Sequence, residues 1–232
     1  MAIRFHVMQA SGAYTGETLA VLERALARTA AACGVKLALR DVDVVVMDVP
    51  WNVIPRIGIN GFAYDAHQIA LFTDMAHRTL QRDLAGAVGA ILAHELHHAA
   101  RAVALGSGHR RTYGESLVAE GLACCFEEEM GHPTPFYAVE CRGDALARFA
   151  HGQARAQIDT PRGALPGAWQ KWMFGGAPDD AAFPYQCGYS TGYALVSHWL
   201  AQHGTTASQA AGVDADAILA PWREGRIDPF AA

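Results

Sequence analysis

The chain has 232 residues, of which 51% are hydrophobic, and carries a formal net charge of -5 at pH 7. This length and apolar content are sufficient for a substantial folded core. An acidic chain without long Lys/Arg runs lacks the basic surface that binds nucleic acid or anionic membranes, so we expect neither as a partner. The N-terminal segment has no basic region followed by a long apolar core, and no apolar run reaches membrane-spanning length. We therefore expect a cytoplasmic protein.

The first third of the chain combines a helix with β-strands. Thr15 is a candidate N-cap for an amphipathic helix that ends before Gly34. The β-branched run within residues 36–49 predicts a strand that stops at Pro50. Two short apolar runs within residues 57–74 predict a hairpin or two neighbouring strands.

From about residue 78 the sequence becomes mainly helical. Ala-rich and Leu-rich patterns predict helices over residues 80–105, 113–130, 137–153 and 188–203. Between the last two, a stretch rich in Gly, Pro and aromatic residues predicts an ordered irregular loop. We therefore predict one α+β domain over residues 1–232, with an α/β sheet part at 1–75 and a mainly helical part at 76–232. The oligomeric state is left open.

The cysteines show no paired spacing of the kind found in zinc knuckles or disulfide frameworks. We expect reduced and mostly buried thiols. The five residues concerned are Cys33, Cys124, Cys125, Cys141 and Cys187.

The stretch "HELHH" places three histidines and a glutamate in five successive positions. Each helical residue turns by about 100°, so His94 and His98 share a face and Glu95 stands about 80° to one side of their mean direction. If His94 instead pairs with His97, Glu95 points about 130° away from the pair. The first arrangement uses all three residues and leaves His97 as a neighbour.

This spacing is the HExxH pattern of zinc hydrolases. Two neutral imidazoles hold Zn²⁺, an open coordination position keeps a water, and the ion lowers the pKa of that water to about 7. An adjacent carboxylate can then take the proton. We predict His94 and His98 as zinc ligands and Glu95 as the general base; the alternative is a set of ordinary histidines on an Ala-rich helix.

A site with two histidines needs a third protein ligand. If one helix ends near residue 105 and the next begins near 113, antiparallel packing places Glu120 level with His98, which makes Glu120 our choice. The alternative for Glu120 is a buried acid paired with Arg101. Glu115 fits a capping box at the helix start. The glutamates at 127–129 have the pattern of a solvated helix end.

These motifs resemble known families. "HELHH" followed by "ESLVAEGLA" resembles the gluzincin metallopeptidases. More closely, "AHELHHAAR", "LVAEGLACCFEEEMG" and "CGYSTGYALVSHWL" are similar to a bacterial family of predicted zinc-dependent proteases catalogued as a domain of unknown function, over roughly residues 55–205. The resemblance implies a zincin-like fold in which His94, His98 and Glu120 bind zinc and Glu95 acts as the base.

The resemblance also directs attention to two further regions. In "GYSTGY", Tyr189 and Tyr193 share a helical face, and a tyrosine hydroxyl near the metal could stabilise an oxyanion. Tyr189 is our choice, with core packing as its alternative. By analogy with zincins, the β region from 57 to 73 would bind extended peptide by strand addition. The sequence departs from some gluzincins three and four residues after Glu120, where no acid is present.

Three functional hypotheses follow from these observations. The first is a zinc-dependent peptidase acting on a peptide or protein substrate. The second is a metal-stabilised binding or chaperone-like module with little hydrolytic activity, which uses an aromatic loop around Trp169 and Trp172 to hold partners. The third is a zinc hydrolase of non-peptide amides, which shares the same site.

Overall fold

The computed structural model describes residues 1–106, 111–164, 167–177 and 180–231. The chain divides into two compact units: Met1–Gly106 with Met130–His132, and Ser107–Glu129 with Pro133–Ala232. The first unit contains a small sheet and the second is built from helices. The predicted α+β class, with an N-terminal sheet and a mainly helical remainder, is confirmed, whereas the single domain stays a prediction. None of the described helices is both long and apolar enough to cross a membrane.

The sheet of the first unit has four strands in the order β1-β2-β4-β3. The strands are β1 (Ile3–Val7), β2 (Val42–Asp48), β3 (Ile59–Ala63) and β4 (Gln68–Thr73). β2 pairs in parallel with β1 and β4, whereas β3 pairs antiparallel with β4. The predicted hairpin is present, and β3 forms one edge of the sheet. β1 is additional to the predicted strands.

Helix α1 (Gly16–Lys36) connects β1 to β2. Its N-cap is Thr15, whose hydroxyl oxygen accepts the backbone N–H of Thr18 at 3.4 Å. The expected end before Gly34 is wrong, because this glycine keeps a helical backbone and the helix closes only with the bond from Leu37 N–H to the Cys33 carbonyl at 2.8 Å. The strand after it consequently begins later than predicted.

The helix predicted over residues 80–105 is divided into α2 (Arg78–Arg82) and α3 (Leu84–Leu105). Asp83 interrupts it with a non-helical backbone, at φ -145° and ψ 61°. The Asp83 carboxylate accepts the backbone N–H of Gly86 at 2.9 Å and so caps α3. Most of α3 is buried, and it packs against α1 and against β3.

The second unit contains the remaining helices. They are α4 (Tyr113–Glu129), α5 (Phe136–Val139), α6 (Gly143–Phe149), α7 (Arg155–Gln157), α8 (Ala168–Phe174), α9 (Cys187–His203) and α10 (Ala215–Arg223). The helices predicted at 113–130 and 188–203 correspond to α4 and α9. The one predicted at 137–153 is broken before Gly143, which has φ 57°, and it continues through a π-helical turn at Ala150–Ala154. α8 lies inside the predicted loop, and α10 is additional.

Helices α4 and α9 pack closely through glycines. A Cβ atom added at Gly121 would overlap the backbone carbonyl of Gly192, and one added at Gly192 would overlap the carbonyl of Leu117. The two helices can therefore approach until one backbone contacts the other.

All five cysteines are buried and free of disulfides. This confirms the expectation of reduced, buried thiols. Burial raises the pKa of the Cys33 and Cys187 thiols to about 12 and that of Cys141 to about 11. These thiols are therefore protonated at neutral pH.

Candidate metal centre and catalytic glutamate

His94 and His98 lie on successive turns of α3 and face the same side of the helix. Their ring centroids are 4.8 Å apart, with the ring planes inclined at 78°. Each offers a ring nitrogen, and these ligand atoms lie within 4.8 Å of each other. Both imidazoles are buried. Two buried imidazoles with this separation suit a zinc ion, which prefers nitrogen ligands at about 2.0–2.1 Å.

The two other polar residues noted on this helix are also buried. His97 and Arg101 both have 0% exposed surface. His97, which the sequence left as a neighbour of the ligand pair, is therefore not a surface residue. With Glu95, five polar side chains are buried on one Ala-rich helix. This sets the segment apart from an ordinary core helix, since such groups are rarely buried without a partner.

Glu95 points from α3 to the edge of the sheet. Its Oε2 atom accepts the backbone N–H of Ala63 at 2.7 Å, and the carboxylate is buried. Ala63 is the last residue of β3. Because Glu95 points to one side of the histidine pair on α3, its carboxylate reaches the edge of β3.

The pairing of β3 with β4 explains why this N–H is available to Glu95. Tyr64 N–H bonds to the Gln68 carbonyl, and Asp74 N–H bonds to the Gly58 carbonyl. In an antiparallel ladder hydrogen-bonded pairs alternate with pairs whose N–H and C=O groups point outward. Residues 59, 61 and 63 are therefore the outward-facing positions of β3. The outward N–H of Gly61 is accepted by Asn60 Oδ1 at 2.9 Å.

Glu120 lies in α4, in the second unit, and is buried. Cys124 and Glu127 follow it at helical spacing and are also buried. The Cys124 sulfur and a Glu127 carboxylate oxygen lie within 4.8 Å of each other. α4 therefore has a buried polar face whose residue types could all bind a metal ion. Two of these residues, Cys124 and Glu127, were not predicted as metal ligands from the sequence.

Glu127 is buried, so the prediction of a solvated helix end is wrong for this residue, whereas Glu128 and Glu129 are half-buried. Tyr137 Oη donates to Glu127 Oε1 at 2.7 Å, and Tyr193 Oη donates to Glu128 Oε1 at 2.9 Å. Glu129 accepts the backbone N–H and the hydroxyl of Ser208 at 2.9 and 2.6 Å. Each partner comes from a different later segment of the second unit, which draws the end of α4 into its interior.

These contacts change the acidity of the tyrosines. Burial, followed by the Glu127 carboxylate, raises the pKa of Tyr137 well above its ordinary value. Burial and the hydrogen bond to Glu128 raise the pKa of Tyr193 to about 12. Because the hydroxyl of Tyr193 is held by Glu128, this residue is poorly suited to stabilise an oxyanion elsewhere.

Tyr189 lies near the start of α9 and is half-buried. Its ring contacts those of Tyr137 and Phe174, with centroids 5.2 and 5.6 Å away. The ring thus belongs to an aromatic cluster, as its alternative interpretation expected. Its role at an oxyanion stays a prediction.

Two further predictions can be checked directly. The capping box is confirmed, since Glu115 N–H donates to Thr112 Oγ1 at 3.1 Å and Thr112 N–H donates to Glu115 Oε2 at 2.9 Å. The expected aromatic loop for holding partners is wrong for Trp172, which has 1% exposed surface. Trp169 is covered by the guanidinium of Arg162, 3.7 Å from the ring centroid.

Comparison with known proteins completes the description of the site. Residues 25–220 match the family described as "Predicted Zn-dependent protease (DUF2268)". The uncharacterized protein YjfC of Bacillus subtilis (strain 168) is 31% identical over 143 residues, which cover 57% of this chain and 46% of that relative. The matched segment therefore spans less than half of the relative. No solved structure matches the chain. Because the family match extends over most of the sequence, the chain belongs to this family of predicted zinc-dependent proteases, and zinc is the metal that the family indicates.

Proposed function

We propose that this protein is a zinc-dependent peptidase of the gluzincin type. The observation that carries the proposal is the arrangement on α3, where the buried His94 and His98 form a nitrogen pair and Glu95 reaches a sheet edge beside it. Membership of a family described as zinc-dependent proteases supports the same activity.

In this proposal His94, His98 and Glu120 hold the metal. Three protein ligands are typical of catalytic zinc sites, in which the fourth position stays open. Burial of the Glu120 carboxylate, its spacing from His98 along the sequence and the family resemblance support its choice. When bound, zinc supplies polarisation of the scissile carbonyl and a lowered pKa of the attacking water.

Glu95 acts as the general base and then as the general acid. Its Oε2 atom is tied to the Ala63 N–H, so the carboxylate has a fixed orientation. One proton of the attacking water passes to Glu95, the water oxygen bonds to the carbonyl carbon, and the proton is then given to the amide nitrogen as the C–N bond breaks.

The substrate in this proposal is an extended peptide that lies along β3. The peptide would contact the strand mainly through side chains, because the outward N–H groups of Gly61 and Ala63 already bond to Asn60 and Glu95. On the outer face of β3, Phe62 and the nearby Tyr64 are exposed, with ring centroids 4.8 Å apart. This pair would contact apolar side chains of the peptide. Tyr189 is our candidate donor to the oxyanion.

Glu95→Gln provides the most direct test. We expect the variant to bind zinc with the stoichiometry of the wild type while peptide hydrolysis falls by about 10²–10⁴-fold, the usual contribution of a general base. Metal analysis and digestion of a peptide library measure the two quantities. Glu23→Gln, at an exposed glutamate of α1, is the matched control. Full activity of Glu95→Gln would exclude this mechanism.

Glu120→Ala tests the third ligand in the same assays. We expect a loss of bound zinc together with activity, because two imidazoles alone hold the ion weakly. Retention of zinc at full stoichiometry would remove Glu120 from the ligand set. If the zinc-loaded wild type cleaved no peptide, the peptidase proposal would fail.

A further inference from the structure

Gly61, in the middle of edge strand β3, lies directly against the side chain of Glu95. A Cβ atom built at this position would be 2.5 Å from Glu95 Cγ, 2.7 Å from Glu95 Oε1 and 2.7 Å from Ile91 Cγ2. Real Cβ atoms do not approach other atoms so closely, and Glu95 and Ile91 are both buried. Any side chain at position 61 would therefore displace one of these neighbours.

The backbone at Gly61 does not itself require glycine. The residue is not among the glycines with positive φ, and it occupies an ordinary strand position paired with Leu71. Glycine inside a strand lowers stability, and it often marks a place where another group approaches closely. Here the approaching group is the carboxylate proposed as the general base.

Ala63 supplies the second half of the contact. It is two residues after Gly61, so both belong to the same outward-facing set of β3. Its N–H fixes Glu95 Oε2, while the absent side chain of Gly61 leaves space for Oε1 and Cγ. Together these two residues determine the direction of the Glu95 side chain and how closely it approaches β3.

We propose that Gly61 is a positioning residue for catalysis, which allows the Glu95 carboxylate to lie at the edge of β3 where the Ala63 N–H orients it. The inference rests on the proposed function, because it gives Glu95 the role of base. Gly61 itself has no chemistry; it acts only through the position of Glu95, while the ion is held by other residues.

Gly61→Ala tests the inference through the separation of kcat from KM. We expect kcat to fall by about 10²-fold, since a misplacement near 1 Å has this effect, while KM changes by less than about twofold. Bound zinc and the visible spectrum of the Co²⁺-substituted enzyme should match the wild type, because the three atoms nearest to an added Cβ belong to Glu95 and Ile91 and not to a histidine. A variant with wild-type kcat would overturn the proposal, and so would a loss expressed only in KM.

Two controls separate displacement of Glu95 from general strain. Gly16→Ala adds a methyl group in the same unit at a position with open space, and should leave kcat unchanged. The double variant Gly61→Ala/Ile91→Ala removes the clash with Ile91 and keeps the clash with Glu95. Its kcat should therefore stay below that of the single variant Ile91→Ala. Recovery of kcat in this double variant would assign the effect to Ile91 and overturn the proposal.

Ala63→Pro provides an independent variant if Gly61→Ala does not fold. Proline is tolerated at outward-facing positions of edge strands, and here it removes the N–H that binds Glu95 Oε2. We expect the same fall in kcat of about 10²-fold with zinc retained. Wild-type kcat in this variant would overturn the proposal. An inactive wild type would instead contradict the proposed peptidase function.

Discussion

In the first unit a glycine lies against a side chain, whereas in the second unit two glycines lie against backbone. Gly61 makes room for the Glu95 carboxylate, and Gly121 and Gly192 allow the backbones of α4 and α9 to meet. A side chain can move to relieve an added methyl group, but a helix backbone can move only with its whole helix. The same residue type therefore serves the orientation of one reactive group in the first unit and close packing in the second.

The buried polar groups of the two units differ in a similar way. Glu95 is held by a backbone N–H at a strand edge. In the second unit the buried Glu127 and the half-buried Glu128 accept hydrogen bonds from the hydroxyls of Tyr137 and Tyr193. A backbone donor fixes one carboxylate oxygen without adding a titratable group, whereas each tyrosine adds one. We therefore expect changes at the Glu95 contacts to alter catalysis, and changes at the glycines between α4 and α9 or at the tyrosine–glutamate bonds to alter stability.

Gly192→Ala should give the largest loss of stability. The added methyl group overlaps the backbone carbonyl of Leu117, so α4 and α9 must separate, and we expect the free energy of unfolding to fall by about 3 kcal/mol. Urea denaturation measures this. Gly152→Ala, where a Cβ meets open space, is the matched control in the same unit. An unchanged unfolding midpoint would contradict the contrast between the units.

Tyr137→Phe should have a smaller effect. It removes the 2.7 Å hydrogen bond to the buried Glu127 while keeping the ring, and we expect a loss of about 2 kcal/mol, as for other hydrogen bonds to carboxylates. Tyr185→Phe, at an exposed tyrosine, controls for loss of a hydroxyl. If Tyr137→Phe had wild-type stability but reduced kcat, the bond to Glu127 would serve catalysis rather than stability.

Tyr193→Phe should have the smallest effect and one that depends on pH. Burial and Glu128 raise the pKa of Tyr193 from 10.0 to about 12, so the folded state keeps a proton that the unfolded state loses between these values. The stability gained from this proton is fully present below pH 10 and is lost as the pH rises to 12. The stability difference between wild type and variant should therefore narrow across this range, as followed by chemical denaturation. A difference independent of pH would contradict the contact with Glu128.

Features that depend on one helix were predictable from sequence. Spacing alone gives the directions of His94, Glu95 and His98, because all three share one regular backbone. The Thr112–Glu115 capping box is equally local. The sequence also indicates the start of α3, since Asp83 precedes Gly86 with the spacing of an N-cap. A longer helix was nevertheless predicted.

Features that depend on contacts with other elements were not predictable. Glu127 has the pattern of a solvated helix end, whereas in the structure it is buried and bonded to Tyr137. Similarly, Gly61 is visible as a glycine within a strand pattern, but the reason for it lies 34 positions later at Glu95. The third ligand Glu120 depends on how two helices pack, and it stays a prediction.

The edge of β3 has a consequence for self-association. An exposed edge strand with unpaired donors and acceptors is a template for pairing with another copy of the same strand. In β3 the outward N–H groups of Gly61 and Ala63 already bond to Asn60 and Glu95. Two copies could not form a continuous antiparallel ladder here without breaking these bonds in both. The contacts that orient Glu95 therefore also protect the strand against aggregation.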